Sequence, residues 1–223
     1  MGTVTIQNYT TKNPIQMIGE EAGICYNSDT TSVEKNYKRG LQCIKDGHGR
    51  TMEFPDVYII INGYSARFMR ELYTHIGGAP TRLQSSTRYI NYGDFDYILP
   101  ASLDTDVKKE VYIHCMNLIS EHFKTLQDLG VPKEDISNIL PLGMKSKMVE
   151  KINLRTLVDM SHQRECSRAY WEFRDFMRDL KKALSEYSDE WALLVDMLFM
   201  PKCELYGYCP EKFSCGRKPK RED

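Results

Sequence analysis

The run DVYIIIN places more demands on this chain than any other segment. It is continuous and β-branched, which predicts a buried strand over residues 57–62. Most of the remaining patterned sequence repeats at helical spacing instead. In SVEKNYKRGLQCIKDG, Ser32 is a capping residue, Val33, Tyr37, Leu41 and Ile44 share one side, and Gly47 is a stop. YSARFMRELYTHI carries a helical repeat through Ala66, Met69, Tyr73 and Ile76, ended by a double glycine. YINYGDFDYIL is aromatic and broken by Gly93, so it reads as strand or extended chain. Strands near Val57 and Tyr89 are candidates to pair.

Further on, Ser102 or Asp104 caps a long helix reaching about Leu129. Its expected apolar face is Val107, Val111, Cys115, Leu118, Ile119, Phe123 and Leu126. KEDISNILPLG predicts a short helix closed by Pro141. Residues 153–187 read as mostly helix, with Leu154, Leu157, Met160, Trp171, Phe176, Leu180 and Leu184 as core. DEWALLVDMLFM is the last helix, and the chain from Pro201 is irregular. Long helices outweigh a few separated strands, which predicts an α+β fold. The expected organisation is one domain over residues 1–200 and a Cys- and Lys-rich tail over 201–223.

With 223 residues, 41% of them hydrophobic, the chain can bury one substantial core. Its formal net charge of -1 supplies no global field toward nucleic acid or an anionic membrane, so neither is an expected partner. The first residues lack a charged-then-apolar leader, Ile6 stands where myristoylation needs a hydroxyl, and no apolar run is long enough to span a bilayer. Seven cysteines without tight pairing suggest a cytoplasmic protein with reduced thiols. Cys203, Cys209 and Cys215 lie at intervals of six and are too few for a closed zinc site, so no metal is expected.

Phosphate-loop, dinucleotide-fingerprint, zinc-protease and nucleophile-elbow motifs are all lacking. Any site must be assembled another way. GGAPTRLQSSTRY, residues 77–89, resembles neither helix nor strand interior. Gly77 and Gly78 permit unusual backbone angles, Ser85, Ser86 and Thr87 offer hydroxyls, and Arg88 offers a planar fork of donors suited to phosphate or carboxylate. Composition leaves two readings open: an anion pocket, or a solvated turn whose arginines face water. Arg155, Arg164 and Arg168 lie in an otherwise core-like segment, as a wet basic helix face or as a site.

Taken together, these segments resemble the flavin-dependent thymidylate synthase family. RELYTHIGGAPTRLQSSTRY is similar to that family's signature, an Arg-His-Arg triplet followed by a hydroxyl-rich run ending Ser-x-Arg-Tyr; Ser86, Arg88 and Tyr89 match the ending. NLRTLVDMSHQRECSRAYWE matches the second motif at Asn153, Arg155, Leu157, Arg164, Ala169, Trp171 and Glu172. DGHGRTMEF resembles the Gly-His segment through Gly47, His48 and Glu53, and ILPLG stands at the expected point. The order agrees from about Ala22 to Leu184. The chain departs from the pattern at the triplet, which reads Thr74-His75-Ile76, and needs two extra residues at Gly77-Gly78. Phe54 replaces a histidine, Asp159 an asparagine and Arg168 a histidine.

The resemblance implies an α+β fold of long helices with a small, mainly antiparallel sheet. It implies methylation of dUMP to dTMP, with FAD as cofactor and methylenetetrahydrofolate and NADPH as co-substrates. It also implies a homotetramer with shared active sites. Matching positions make Arg164 the catalytic, uracil-activating cation. Glu71, Gln84, Ser85, Ser86, Thr87, Arg88 and Lys147 are expected at the nucleotide. The flavin is expected at His48, Arg50, Glu53, Thr74, His75, Ile76, Gln84, Asn153, Arg155 and Asp159. The altered triplet leaves two alternatives: methylation of another uracil nucleotide such as UMP, or a non-catalytic nucleotide-binding relative.

Overall fold

The computed structural model describes residues 2–221. In chain order the elements are β1 (Thr3–Ile6), α1 (Pro14–Cys25), α2 (Val33–Lys45), β2 (Asp56–Ser65), α3 (Ala66–Leu72) and β3 (Thr81–Gln84). They continue with α4 (Asp106–Asp128), α5 (Lys133–Ile136), β4 (Lys145–Asn153), α6 (Leu154–Arg164), α7 (Trp171–Tyr187), α8 (Asp189–Leu198) and α9 (Lys202–Tyr206). The strands form a small antiparallel sheet in the order β1-β2-β4-β3. The expected α+β class is borne out.

The described residues fall into two compact units. The α4 unit comprises residues 2–3, Ile61–Thr74 and Leu83–Val149. The α6 unit comprises Val4–Ile60, His75–Arg82 and residues 150–221.

In the α4 unit, Phe123, Met116, Ile136, Met144, Tyr92 and Phe95 make one apolar cluster. The segment expected as a second strand is extended chain instead. Tyr89 lies in a turn, and the segment pairs only through an isolated bridge, Tyr97 to Met144. Its aromatic residues fill the cluster without a ladder. Thr105, not Ser102 or Asp104, caps α4, its hydroxyl accepting from Lys108 N at 3.4 Å. The expected apolar face of α4 is only partly correct. Phe123 is fully buried, but Val107, Val111, Cys115 and Leu118 are exposed. α3 begins on a Ser65 cap and ends at Leu72, short of the double glycine, so Tyr73 and Ile76 lie on the surface; Phe68, Met69 and Leu72 are its buried residues.

In the α6 unit, Leu154, Leu157, Met160, Phe176, Leu180 and Leu184 are fully buried as expected, joined by Phe173, Met177 and Trp191. Trp171 is only half-buried. α1 has no counterpart in the sequence reading. Asn13 makes no side-chain cap. Instead Glu190, from α8, accepts from Ile15 N at 2.7 Å and Gln16 N at 3.2 Å, closing the helix start with a residue 175 positions away. α2 is capped by Ser32 as predicted, but it buries Asn36, Gly40 and Ile44 and leaves Val33 exposed. The reason is close backbone approach to α1: a Cβ on Gly40 would stand 1.9 Å from Ile15 O, and one on Gly19 1.8 Å from Asn36 O.

Candidate functional site

β4 alternates faces, so Ser146, Met148, Glu150 and Ile152 all point inward. Three of these suit an interior, and Glu150 does not. Its carboxylate is matched in the α6 unit by Arg82, whose Nε donates to Glu150 Oε1 at 2.6 Å. The two side chains are 5% and 0% exposed, so the pair is enclosed. Burial pushes the Glu150 carboxyl up, and Arg82 pulls it back. Glu150 Oε2 has no hydrogen-bond partner among the described residues.

Arg82 does a second task. Its Nη2 donates to the backbone oxygen of His75 at 2.7 Å. The imidazole of His75 then meets Arg164, whose Nε donates to His75 Nε2 at 2.8 Å. An arginine only donates, so His75 accepts at Nε2 and is neutral with its proton on Nδ1. Burial, then Arg164 and then Arg82, lower its pKa from 6.5 to about 4. Phe173 completes the mount. The His75 ring stands edge-on to it at 5.5 Å, and the Arg164 guanidinium lies 4.7 Å over its face. One chain of contacts thus runs from Glu150 through Arg82 and His75 to Arg164.

The double glycine is seated in the same unit. Asn153 caps α6, its Oδ1 accepting from Thr156 N at 2.9 Å. Thr156 Oγ1 donates to Gly77 O at 2.6 Å. Gly78 has φ of 64°, and a Cβ there would lie 2.2 Å from Asn153 Nδ2. Position 78 therefore requires glycine on both counts. Nearby in sequence, Arg155 donates to Glu53 Oε1 at 2.6 Å. His48 opens the 3₁₀ turn Gly49–Glu53; it, Arg50 and Asp159 are exposed, and Arg155 and Asp159 are one helical turn apart.

The α4 unit holds the other expected residues. Gln84 Nε2 donates to Ser146 Oγ at 3.1 Å, and Ser85 N to Lys147 O at 2.8 Å. Arg88 N donates to Ser86 Oγ at 3.2 Å, and Ser137 Oγ to Thr87 O at 2.6 Å. Arg88 Nε meets Glu134 Oε2 at 2.8 Å in the open. Thr74 Oγ1 donates to Glu71 O at 2.7 Å, and Lys147 is exposed. Residues 81–84 are strand β3, which corrects the reading of the whole 77–89 stretch as irregular. Its two arginines also part company. Arg88 is a surface cation, and Arg82 is buried, so neither general reading covers both.

Residues 6–188 match the family described as thymidylate synthase complementing protein. The chain belongs to that family. A flavin-dependent thymidylate synthase of Pyrococcus furiosus is 29% identical over 229 residues, covering 95% of this chain and 91% of that protein. One from Nitratidesulfovibrio vulgaris is 29% identical over 194 residues, covering 80% and 75%. Thymidylate synthase X from Helicobacter pylori, solved with FAD and dUMP, superposes with a TM-score of 0.65 at 18% identity. It covers 87% of this chain and 99% of that one. Within the family match, Arg82, Glu150 and Phe173 were not read as site residues from the sequence. The signal for Glu150 was available, because a glutamate in phase with Met148 and Ile152 falls on the inward face of a strand.

Among the described residues, no group of three or more His, Cys, Asp or Glu side chains could hold a metal ion. No described helix is long and apolar enough to cross a membrane.

Proposed function

We propose that the protein is a flavin-dependent thymidylate synthase. It methylates dUMP to dTMP with methylenetetrahydrofolate as carbon donor, NADPH as reductant and FAD as cofactor. The observation that carries this reading is the mounting of Arg164. Its cation is held by a neutral histidine and an aromatic face inside a family-matched segment.

The donor set fits a flavin dinucleotide. Arg50, Arg155 and His48 supply cations and donors for a pyrophosphate, Glu53 and Asp159 supply acceptors for ribose hydroxyls, and Asn153 and the residues flanking His75, Thr74 and Ile76, complete the expected contacts. Gln84 serves at the flavin and the nucleotide. When bound, the flavin supplies the hydride that completes the methyl group. The chain's own residues bind and polarise the nucleotide. Arg88, Ser85, Ser86 and Thr87 bind the phosphate dianion, with Glu71 and Lys147 as further contacts. Arg164 stabilises the charge that develops on the uracil nitrogen and oxygens as electron density moves to the ring carbon. A neutral His75 keeps Arg164 oriented without repelling it.

Residues 1–200 act as one catalytic domain in the cytoplasm, and the assembly is a homotetramer. The exposed Val107, Val111 and Leu118 on α4 support association. The test is a flavin absorbance spectrum of the purified protein, followed by dUMP methylation with folate and NADPH. A colourless protein that forms no dTMP after FAD is added would sink the reading. Preferential methylation of UMP would move it to the alternative substrate.

A further inference from the structure

Arg164 lines a cavity of about 540 Å³ that lies wholly within the α6 unit. One side is the end of α6 and the turn after it. The other is built from residues 201–203 and 209–211, beyond the 6–188 span that matches the family. The lining charges are unbalanced. Three of the lining side chains, Arg164, Arg168 and Lys202, are basic, and Glu211 is the one carboxylate among the lining residues. His162 also faces the cavity, and burial, the largest influence on it, lowers its pKa. Between the charges, Ala169, Pro201 and Pro210 supply apolar surface. The volume is that of an ordinary small-molecule site, roughly 300–1,000 Å³.

The far wall is held in place. Arg168 Nη1 donates to Phe213 O at 3.0 Å, and its guanidinium lies 5.3 Å over the Phe213 ring. Lys218 pairs with Glu204 at 2.8 Å, and Cys209 N donates to Pro219 O at 2.6 Å. Lys181 Nζ bridges Glu165 Oε2 at 2.9 Å and Phe199 O at 3.0 Å, anchoring the segment where it leaves α8. The Cys- and Lys-rich tail is therefore folded structure, and Cys203 and Cys209 are buried within it.

We propose that the tail completes the Arg164 cavity as an anion-binding subsite, in which Lys202 and Arg168 receive the carboxylate or phosphate end of an organic anion. The chemistry is common to a nucleotide phosphate and to the glutamyl carboxylates of a folate. Which of these it serves rests on the function proposed above, whereas occupation of the subsite by an anion does not.

The lining thiols give a readout independent of turnover. Cys166, Cys203 and Cys209 face the cavity, while Cys25 and Cys115 are exposed, lie outside the lining and serve as controls. The full-length protein is labelled with N-ethylmaleimide and followed by peptide mass spectrometry, alone, with dUMP and with p-aminobenzoylglutamate. At least one anion is expected to slow labelling of Cys166, Cys203 and Cys209 at least fivefold, leaving the controls unchanged. Protection by dUMP that deoxyuridine, run in parallel, does not give assigns the phosphate here rather than to Arg88, and protection by p-aminobenzoylglutamate assigns the carboxylate. Lys202→Glu should abolish the protection and raise KM for the protecting class of ligand at least tenfold. Lys202→Met keeps the aliphatic stem against the wall and should lose protection too. Failure of both anions to protect, or protection retained in Lys202→Met, overturns the proposal. A protein that forms no dTMP but still shows Lys202-dependent protection keeps the subsite and loses only the function.

Discussion

Two arginine sites in this molecule handle their charge in opposite ways. In the α6 unit, Arg82 and Arg164 are fixed from several sides, by Glu150, by the His75 backbone and ring, and by Phe173. In the α4 unit, Arg88 stands on the surface with one exposed carboxylate, Glu134, beside it. A fixed cation costs no reorganisation when charge develops against it, so it suits the stabilisation of a transition state. A surface cation can exchange its partner for an incoming anion, which suits capture of a ligand. Under the proposed function the first site would activate the nucleotide and the second would bind it, and each role can be broken separately.

The largest effect is expected at Arg164. Arg164→Ala should reduce kcat by about 10³-fold, the scale on which one aimed donor acts. The circular-dichroism spectrum of the variant should match that of the wild type, so that the loss is read as a loss of chemistry in a folded protein. Near-wild-type turnover in that variant would remove the activating role and with it the contrast.

Next comes Arg82. Arg82→Met strands a buried carboxylate, which costs about 3–5 kcal/mol of stability. Arg82→Met combined with Glu150→Gln removes both charges and should recover most of the loss in urea denaturation. Even so, kcat should remain depressed, because the His75 carbonyl has lost its donor and the His75–Arg164 contact its support. A double variant with full activity would show that the buried pair serves stability alone. The altered triplet gives this test its interest. Thr74 and Ile76 carry no charge, and the guanidinium that steadies His75 comes from β3, after the double-glycine turn.

A smaller effect follows from His75 itself. Its folded pKa of about 4 lies below the ordinary 6.5. The unfolded chain therefore binds the extra proton first as pH falls. The stability owed to neutral His75 is fully present above about pH 6.5 and is lost progressively down to about pH 4. The shift is equivalent to roughly 3 kcal/mol, which solvent screening reduces to on the order of 2 kcal/mol, read from urea denaturation of wild type against His75→Asn across that window. Parallel pH profiles for the two proteins would contradict the neutral, accepting imidazole.

How much of this the sequence disclosed depends on whether a feature is local. Ser32 capping α2, the 57–62 strand, the buried Leu154, Leu157 and Met160, and the motif order were all legible, since each rests on neighbours in sequence. The start of α1 was not, because its cap comes from Glu190. The α2 face was misjudged because Gly40 packs backbone against backbone, and hydrophobic spacing does not register that. Arg88 was legible as a polar loop cation, and Arg82, six residues earlier, was not. Its partner Glu150 is 68 positions away, and composition treats a buried arginine and a solvated one alike.

The smallest effect concerns Arg88 and Glu134. Their contact is exposed on both sides, with side-chain accessibilities of 64% and 54%. Such a pair is worth roughly 0.2–1 kcal/mol, so Glu134 is a weak competitor for whatever Arg88 binds. Glu134→Gln removes that competitor's charge without altering its size. If Arg88 captures the nucleotide phosphate, the dissociation constant for dUMP should fall by about 1.4- to 5-fold, the affinity equivalent of that energy. Arg88→Ala should weaken dUMP binding and cancel the benefit of Glu134→Gln in the double variant. Additive effects of the two changes would instead place Glu134 outside the capture step. Calorimetric titration with dUMP at low and moderate salt reads both, and the gain from Glu134→Gln should shrink as salt screens the exposed pair.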